Sequence, residues 1–484
     1  VFAPEGFFVP RIGAAGGGKR PAASRDDRMR IAVVGSGIAG LSAAWLLAGR
    51  HRVTLFEANR YLGGHTNTVD VTLDAVTHPV DTGFLVFNRR TYPNLCALFA
   101  HLDVESAASD MSFAVSLLEY DLEWAGTSLA TVFGQRRNLA RPRFWRMLAD
   151  IARFNRAATA IALGGAPGGE TLGDFLERGR YGRGFRDWYL LPMAAAIWSC
   201  PTRAMLQFPV ATFARFCHNH ALLQNENRPK WLTVKGGGRE YVRRLAARLD
   251  DVRPGSPVRS VDGIPGAFRV ATDAGTESFD QVVLACHSDQ ALRLIAHPTD
   301  DERRILGAVR YQANRAVLHT DRRLLPRRES LWSAWNYLSR ADGDCDRPVG
   351  VSYLLNKLQR LPFAAPVVVT LNPPVEPAAG SVIAEFDYEH PVFDRGAIEA
   401  QGRVASIQGR RGLWFCGAWA GYGFHEDGLK AGLAVANALG ARAPWPEEAG
   451  TANADLADDA VGERRTAQGR REPREHGLRQ EMPT

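Results

Sequence analysis

Apolar positions change their spacing several times along this 484-residue chain. Residues 30–57 read strand, glycine turn, helix, strand. The run Ile31–Val34 is continuously apolar, and Leu41, Ala44 and Leu47 recur at helical spacing. From about 89 to 217 the spacing is mostly helical, with aromatic and basic residues interleaved, as in RPRFWRMLADIARFNRAA. Residues 231–290 return to a helix plus short strands and end in the buried-strand run FDQVVLAC. Between 314 and 393, the runs RAVLHTD, VGVSYLL, PVVVTL and VIAEFDY predict an antiparallel sheet. Residues 413–440 are again strand, glycine turn, helix, and no tandem repeat is present. This alternation predicts one α/β domain assembled from 29–88, 218–290 and 405–441. The insertions 89–217 and 291–404 form a second, α+β domain, a helical cap plus an antiparallel sheet. Residues 1–28 have no periodic apolar pattern and precede Met29, so we expect disorder there or an upstream misreading of the start. The charged tail 442–484 is expected to be disordered too.

Composition narrows the class. Apolar content of 45% and charged content of 23% are those of an ordinary globular chain. No apolar run reaches the roughly 20 residues a membrane helix needs. The net charge of +7 comes without any recognition-helix or zinc-finger spacing, so nucleic acid is not an expected partner. The six cysteines (Cys96, Cys200, Cys217, Cys286, Cys345, Cys416) are scattered, as free thiols in a reducing, cytoplasmic compartment would be. His218 and His220 lack further ligands at metal spacing, so no metal is expected.

The chemistry is concentrated in RIAVVGSGIAGLSAAWLLAGRHRVTLFEA. Gly35, Gly37 and Gly40 fill G-x-G-x-x-G between a strand and a helix whose first turn holds Ile38 and Ala39. The first glycine permits the tight turn, the second lets backbone approach a pyrophosphate, and the third lets helix and strand pack closely. The helix amino end receives the phosphates. Glu57 closes the second strand, placed for ribose hydroxyls. The unit by itself suits FAD and NAD equally.

The following residues favour FAD. RYLGGHTNT resembles the double-glycine motif R-x-G-G-R-x-x-T of two-dinucleotide-binding-domain flavoproteins, with Arg60, Gly63, Gly64 and Thr68 in place and His65 where the second arginine stands. VDTGFLVF resembles the D-x-G turn of those proteins, with Gly83 as its glycine. With these pieces the chain is similar to the FAD-dependent amine oxidase superfamily, which includes monoamine oxidases, protoporphyrinogen oxidase and phytoene desaturases. The resemblance runs from Met29 to about Leu439 and implies a Rossmann-like FAD domain with a discontinuous substrate domain. It also implies a backbone contact to adenine at Val258, and a last strand and helix, GAWAGYGFHEDGLKAG, holding the flavin end through Gly417, Glu426, Asp427 and Leu429. More narrowly, SAWNY, LLNKLQ and GAWAGYGFHEDGL resemble a bacterial branch of predicted NAD/FAD-binding proteins. Genes of that branch are often found beside those for cyclopropane fatty acyl phospholipid synthases.

The resemblance implies hydride transfer to flavin N5, and the departures from it bear on substrate. Asn314 and Arg315 lie where amine oxidases of the superfamily carry a lysine, and Phe424 stands where one tyrosine of the amine cage would be. An apolar substrate such as a fatty acyl chain is therefore the leading expectation, with the chain a desaturase, oxidase or isomerase. A flavin amine oxidase and a non-catalytic flavin-binding partner of a lipid-modifying enzyme are the alternatives. The polar candidates facing the flavin are Asn336, Tyr353, Tyr422 and His425. The Cys286-His287 pair also invites a nucleophile reading. The aromatic, arginine-rich cap suits a substrate core or tunnel, with peripheral contact to an anionic membrane at its inner face.

Overall fold

The computed structural model describes residues 28–164, 169–198, 201–224, 228–339 and 350–446. The segments 1–27 and 447–484, and with them most of both expected disordered ends, lie outside the described residues, as do Cys200 and Cys345.

A five-stranded parallel sheet forms the first domain, in the order Asp251–Arg253, Arg52–Phe56, Arg30–Val34, Gln281–Leu284, Leu413–Phe415. Its strands come from widely separated parts of the chain, and the inner ones are mostly apolar because both sheet faces are covered, while the edge strand Asp251–Arg253 is charged. Over one face lie the helices Ile38–Ala48, Arg239–Ala246 and His425–Ala438, around a core that includes Val33, Leu41, Tyr241, Leu429 and Val435. Over the other lies an antiparallel meander, Val258–Ile264, Ala267–Thr272 and Gly275–Phe279, packed through Val261, Phe268 and Val270. The first and last helices approach closely because Gly432 leaves room: a Cβ there would stand 2.3 Å from the Ala39 carbonyl oxygen.

The second domain is built on a seven-stranded sheet ordered Val382–Val392, Arg310–His319, Val368–Leu371, Gly350–Leu354, Trp335–Leu338, Phe113–Leu117, Leu122–Ala125. It differs from the expected antiparallel sheet in two ways. Two of its strands come from the 89–217 insertion, and Trp335–Leu338 runs parallel to Phe113–Leu117. A strand arriving from a distant part of the chain is free of the antiparallel sense that a hairpin imposes. The helical remainder caps this sheet. Helix Pro142–Gly164 buries Phe144, Met147, Phe154 and Ala158, at spacings of three, seven and four, against Val210–Asn219. Phe144, Phe154, Trp188 and Trp198 are thus core, whereas Trp145 is half exposed. No helix among the described residues is long and apolar enough to cross a membrane. Past the last helix the chain stays packed to Trp445, which stacks on Trp45 at 6.3 Å and donates to Asn94 Oδ1 at 3.3 Å.

Candidate functional site

One cavity of about 1420 Å³ runs from the carboxyl edge of the parallel sheet into the second domain. Ligands of open α/β sheets bind at that edge, and the glycine turn there is shaped for one. Gly35 takes φ +105°, and a Cβ on it would lie 2.7 Å from the Ala285 carbonyl oxygen. At Gly40 a Cβ would stand 1.9 Å from the Gly35 carbonyl oxygen, so Gly40 sets the helix against the strand and does not line the cavity. Gly37 is the opposite case: a Cβ would meet nothing within 4 Å. That open space at a helix amino end, with Ile38 and Ala39 beside it, is where a pyrophosphate fits.

Ser36 ties the two glycine motifs together. Its N–H and hydroxyl donate to Glu57 Oε2 at 2.9 and 2.6 Å, and Gly63 N–H donates to Ser36 Oγ at 3.1 Å. Glu57 Oε1 accepts from Asn59 N–H at 2.8 Å. Gly64, at φ +58°, faces Gly37 so closely that a Cβ would lie 3.2 Å from the Gly37 Cα. Val258 reaches the cavity beside Glu57 because Ser256 N–H donates to the Glu57 carbonyl oxygen at 2.8 Å. Gly83 is required by its neighbour, since a Cβ there would lie 2.1 Å from the His65 carbonyl oxygen. Gly35, Gly37, Ile38, Ala39, Glu57, Gly63, Gly64, His65, Gly83, Val258 and Gly417 all line this part of the cavity.

Besides Gly40, five expected cofactor contacts lie elsewhere. Arg60 is exposed and off the cavity. Thr68 instead bonds Asp81 at 2.5 Å and accepts from Arg239 N–H at 3.0 Å, and so braces the Gly236–Gly238 turn. Glu426 caps the neighbouring helix Pro93–His101: its carboxylate accepts from Asn94 N–H at 3.0 Å, Asn94 Nδ2 at 2.8 Å and Leu95 N–H at 3.0 Å. Asp427 caps its own helix by accepting from Phe424 N–H at 3.0 Å. Leu429 is fully buried core. Spacing reported the helix start correctly, but it could not tell that its acids face inward and sideways.

Of the four catalytic candidates, Asn336 is withdrawn from the site. It is fully buried, its amide donates to the carbonyl oxygens of Ser333 at 2.6 Å and Ser352 at 3.1 Å, and its Oδ1 accepts from Ser333 N–H. Tyr353, Tyr422 and His425 do line the cavity. His425 is pinned by Phe84, whose ring stacks on it at 3.8 Å, and by Tyr241, whose hydroxyl lies 2.7 Å from Nε2. Burial, with His65 nearby, pushes its pKa down to about 3, so the ring is neutral. The Cys286 thiol is pushed up to about 12 by burial, which leaves no thiolate for nucleophilic attack near neutral pH.

A polar row at the cavity wall joins two residues named from the sequence, His65 and His287, to Tyr388 and His390, which were not. His65 contacts Tyr388, His390 and His287 at ring separations of 5.1, 5.3 and 6.3 Å. His287 stacks on Tyr311 at 4.3 Å, and its Nδ1 lies 3.4 Å from Glu389 Oε2 without hydrogen-bond geometry. The Nε2 of His65 is buried with no hydrogen-bond partner. Burial and the neighbouring rings push His65 to about 4 and His390 to about 3. Orphaned ring nitrogens beside Gly37 and Gly64 suit an anionic ligand, in the place where the sequence motif lacks its arginine. The signal was present in Val382–Val392: Phe386, Tyr388 and His390 alternate on one face of a strand.

Beyond the carboxyl-side turn the cavity becomes a chamber walled by Leu148, Ile151, Met193, Ile197, Phe393 and Phe424. No lysine lines it among the described residues. Its polar exceptions include Asn155 Oδ1, Trp198 Nε1 and Trp335 Nε1, buried and without hydrogen-bond partners. Such atoms are costly unless a ligand or water meets them.

Comparison with known proteins adds the following. The family model described as flavin containing amine oxidoreductase matches residues 38–339. A carotenoid phi-ring synthase of Streptomyces griseus is 30% identical over 320 residues, 61% of this chain and 58% of that protein. The chain thus spans somewhat over half the length of this curated relative. Among solved structures, a CLA-producing fatty acid isomerase from P. acnes superposes with a TM-score of 0.58 at 15% identity, covering 86% of this chain and 99% of the other. Cyclohexylamine oxidase from Brevibacterium oxydans superposes with a TM-score of 0.60 at 14% identity, covering 85% and 98%. At those identities the two structures speak for the fold alone.

Proposed function

This chain belongs to the flavin containing amine oxidoreductase family, an FAD-dependent class of oxidoreductase, and within it we propose a desaturase, oxidase or isomerase of an apolar acyl chain. The observation that carries the reading is the chamber: it opens off the cofactor cradle and is walled by aliphatic and aromatic side chains. A chain such as a fatty acid buries its methylenes there at roughly 0.8 kcal/mol each. Its single oxygen function meets the orphaned N–H groups of Trp198 and Trp335. The curated relative's name, a carotenoid ring synthase, supports a long hydrocarbon substrate.

The glycine cradle and the open space beside Gly37 would hold the FAD pyrophosphate, Glu57 would take the ribose hydroxyls, and the His65 row would serve the charged middle of the cofactor. Bound there, FAD supplies the two-electron acceptor. The protein's own part is position and exclusion of water: Phe393 and Phe424 close the chamber at the cofactor end, and the neutral His425, held by Tyr241 and Phe84, adds no charge against an apolar substrate.

Anaerobic mixing of the flavoprotein with saturated and unsaturated fatty acids, and separately with a panel of amines, tests this. Loss of the oxidised-flavin absorbance with a fatty acid, abolished by Ile197→Asp while FAD stays bound, is the expected result. Reduction by amines alone would establish the amine oxidase reading. Reduction by no compound of either panel, with no double-bond shift in the recovered fatty acids, would leave a flavin-binding partner without turnover.

A further inference from the structure

We propose that the segment 126–163 is a docking face for an anionic lipid bilayer and that the chamber takes its substrate through it. The proposal rests on the acyl-chain reading above for the substrate, but not for the docking itself.

Of the four large apolar side chains exposed in this segment, Leu163 (69%) stands at its end and three group near its start: Leu129 is 79% exposed, Leu139 52% and Trp145 50%. They form one strip. Phe133 follows Leu129 by one helical turn, with its N–H on the Leu129 carbonyl oxygen at 3.1 Å, and its ring lies 5.1 Å from that of Trp145. Trp145 donates its indole N–H to the Leu139 carbonyl oxygen at 2.9 Å, so the ring needs no further polar partner. Exposed apolar strips of this kind mark interaction surfaces.

Charge names the occupant. Residues 126–163 contain seven arginines, at 136, 137, 141, 143, 146, 153 and 156, and one acid, Asp150. Seven arginines less one acid leave the segment at +6, and neighbouring acids take up part of it: Arg137 pairs with Asp121, Arg143 with Asp187, and Arg146 and Arg153 share Asp150. A basic helix with exposed Leu and Trp is the composition that lies in a bilayer interface, where each arginine near an anionic surface adds to the attraction. Nucleic acid would use the arginines but has no use for the leucines.

The same helix leads inward. Trp145, Leu148, Ala152 and Asn155 fall at i, i+3, i+7 and i+10, on one face of Pro142–Gly164. Leu148, Ala152 and Asn155 line the cavity, as do Gly126, Thr127 and Val132 next to Leu129. An acyl chain entering beside Trp145 would pass from bilayer to chamber without crossing water.

Flotation of the full flavoprotein with vesicles tests this, using phosphatidylcholine alone and phosphatidylcholine with phosphatidylglycerol. We expect binding to the anionic vesicles at low salt and little to the neutral ones. The triple variant Leu129→Ser, Leu139→Ser, Trp145→Ser should lower the bound fraction about tenfold, with flavin absorbance and melting temperature unchanged. Arg136→Gln with Arg146→Gln should weaken binding at low salt and flatten its salt dependence. Absence of wild-type binding at low salt would overturn the proposal. So would equal binding by the triple serine variant, or wild-type binding to duplex DNA that displaces the vesicles and survives those serines. Flotation needs no turnover: vesicle binding with neither flavin reduction nor a double-bond shift in any lipid would sink the acyl-chain reading and leave the docking face standing. Reduction by a water-soluble medium-chain fatty acid without vesicle binding would do the reverse.

Discussion

Two glycine turns open onto the cavity, and they are built by opposite means. The first, Gly35 to Gly40, is crowded behind and empty in front: Gly40 has no room for a Cβ, while Gly37 faces open space. The second, Gly417 to Gly428, is filled by its own side chains. A Cβ at Gly421 would lie 2.5 Å from Asp427 Oδ1, Gly423 packs on Phe393, and His425 lies under Phe84. The first turn is thus a cradle that leaves backbone bare for a phosphate. The second is a platform, rigid and mostly apolar, against which a flat ring and an acyl chain can be positioned. Similar glycine content conceals different tasks.

The largest expected effect breaks the cradle from behind. Gly40→Val forces side-chain atoms onto the Gly35 backbone, and the chain should fail to yield folded flavoprotein, as judged by soluble yield and flavin absorbance per protein. Acid should act next most strongly, through the platform and the rows around it. Burial lowers the pKa values of His65, His220 and His319 to about 4, and of His390 and His425 to about 3. Their stabilisation is complete above the unfolded value near 6.5 and is lost as pH falls toward 4. Asp81 and Asp427 oppose this, because their carboxyls are raised to about 6 and gain protons in the folded state first. Five histidines outweigh two carboxyls, so stability should fall from about pH 6.5 downward, by about 1.4 kcal/mol per pH unit for each unmatched proton. Denaturant melts at several pH values check the slope. His319→Asn, far from the cavity and bonded to Thr370 at 2.8 Å, should remove about one proton of it.

Gly421→Ala sharpens the comparison at the platform. It displaces the Asp427 cap, and a loss of about 1 kcal/mol in thermal or chemical melts is expected. Gly37→Ala is the smallest in stability and the most telling. Its φ of −61° suits alanine, so folding should change by less than about 0.5 kcal/mol. FAD affinity, measured by titrating protein stripped of flavin, should nonetheless weaken about tenfold, because the methyl occupies the space kept for the pyrophosphate. Unchanged affinity would mean that the cofactor does not approach Gly37.

The fingerprint was legible because it is local: strand, turn, helix and closing acid lie within 30 residues, and Gly40 packs on Gly35 five residues before it. The closing turn was legible as a turn, yet the directions of its acids were not. Glu426 points to Asn94 and Leu95, more than 330 residues away along the chain. Asn336 read as a polar candidate because an asparagine beside tyrosines looks available. Only the packed sheet shows its amide saturated by Ser333 and Ser352.

The sequence by itself determined the nucleotide turn, the double-glycine latch that follows it, and the alternation that assigns three separated segments to one parallel sheet. Local sterics and hydrophobic periodicity suffice for the turn and the alternation, and the double-glycine motif was read from a family resemblance. The tertiary structure alone decided that His65, His287 and His390 form one wall, that Phe113–Ala125 joins a sheet whose other strands come much later in the chain, and that one face of the arginine-rich helix runs from the surface at Trp145 into the chamber. Those contacts join residues with no shared period or motif, and only the burial of a common core brings them together.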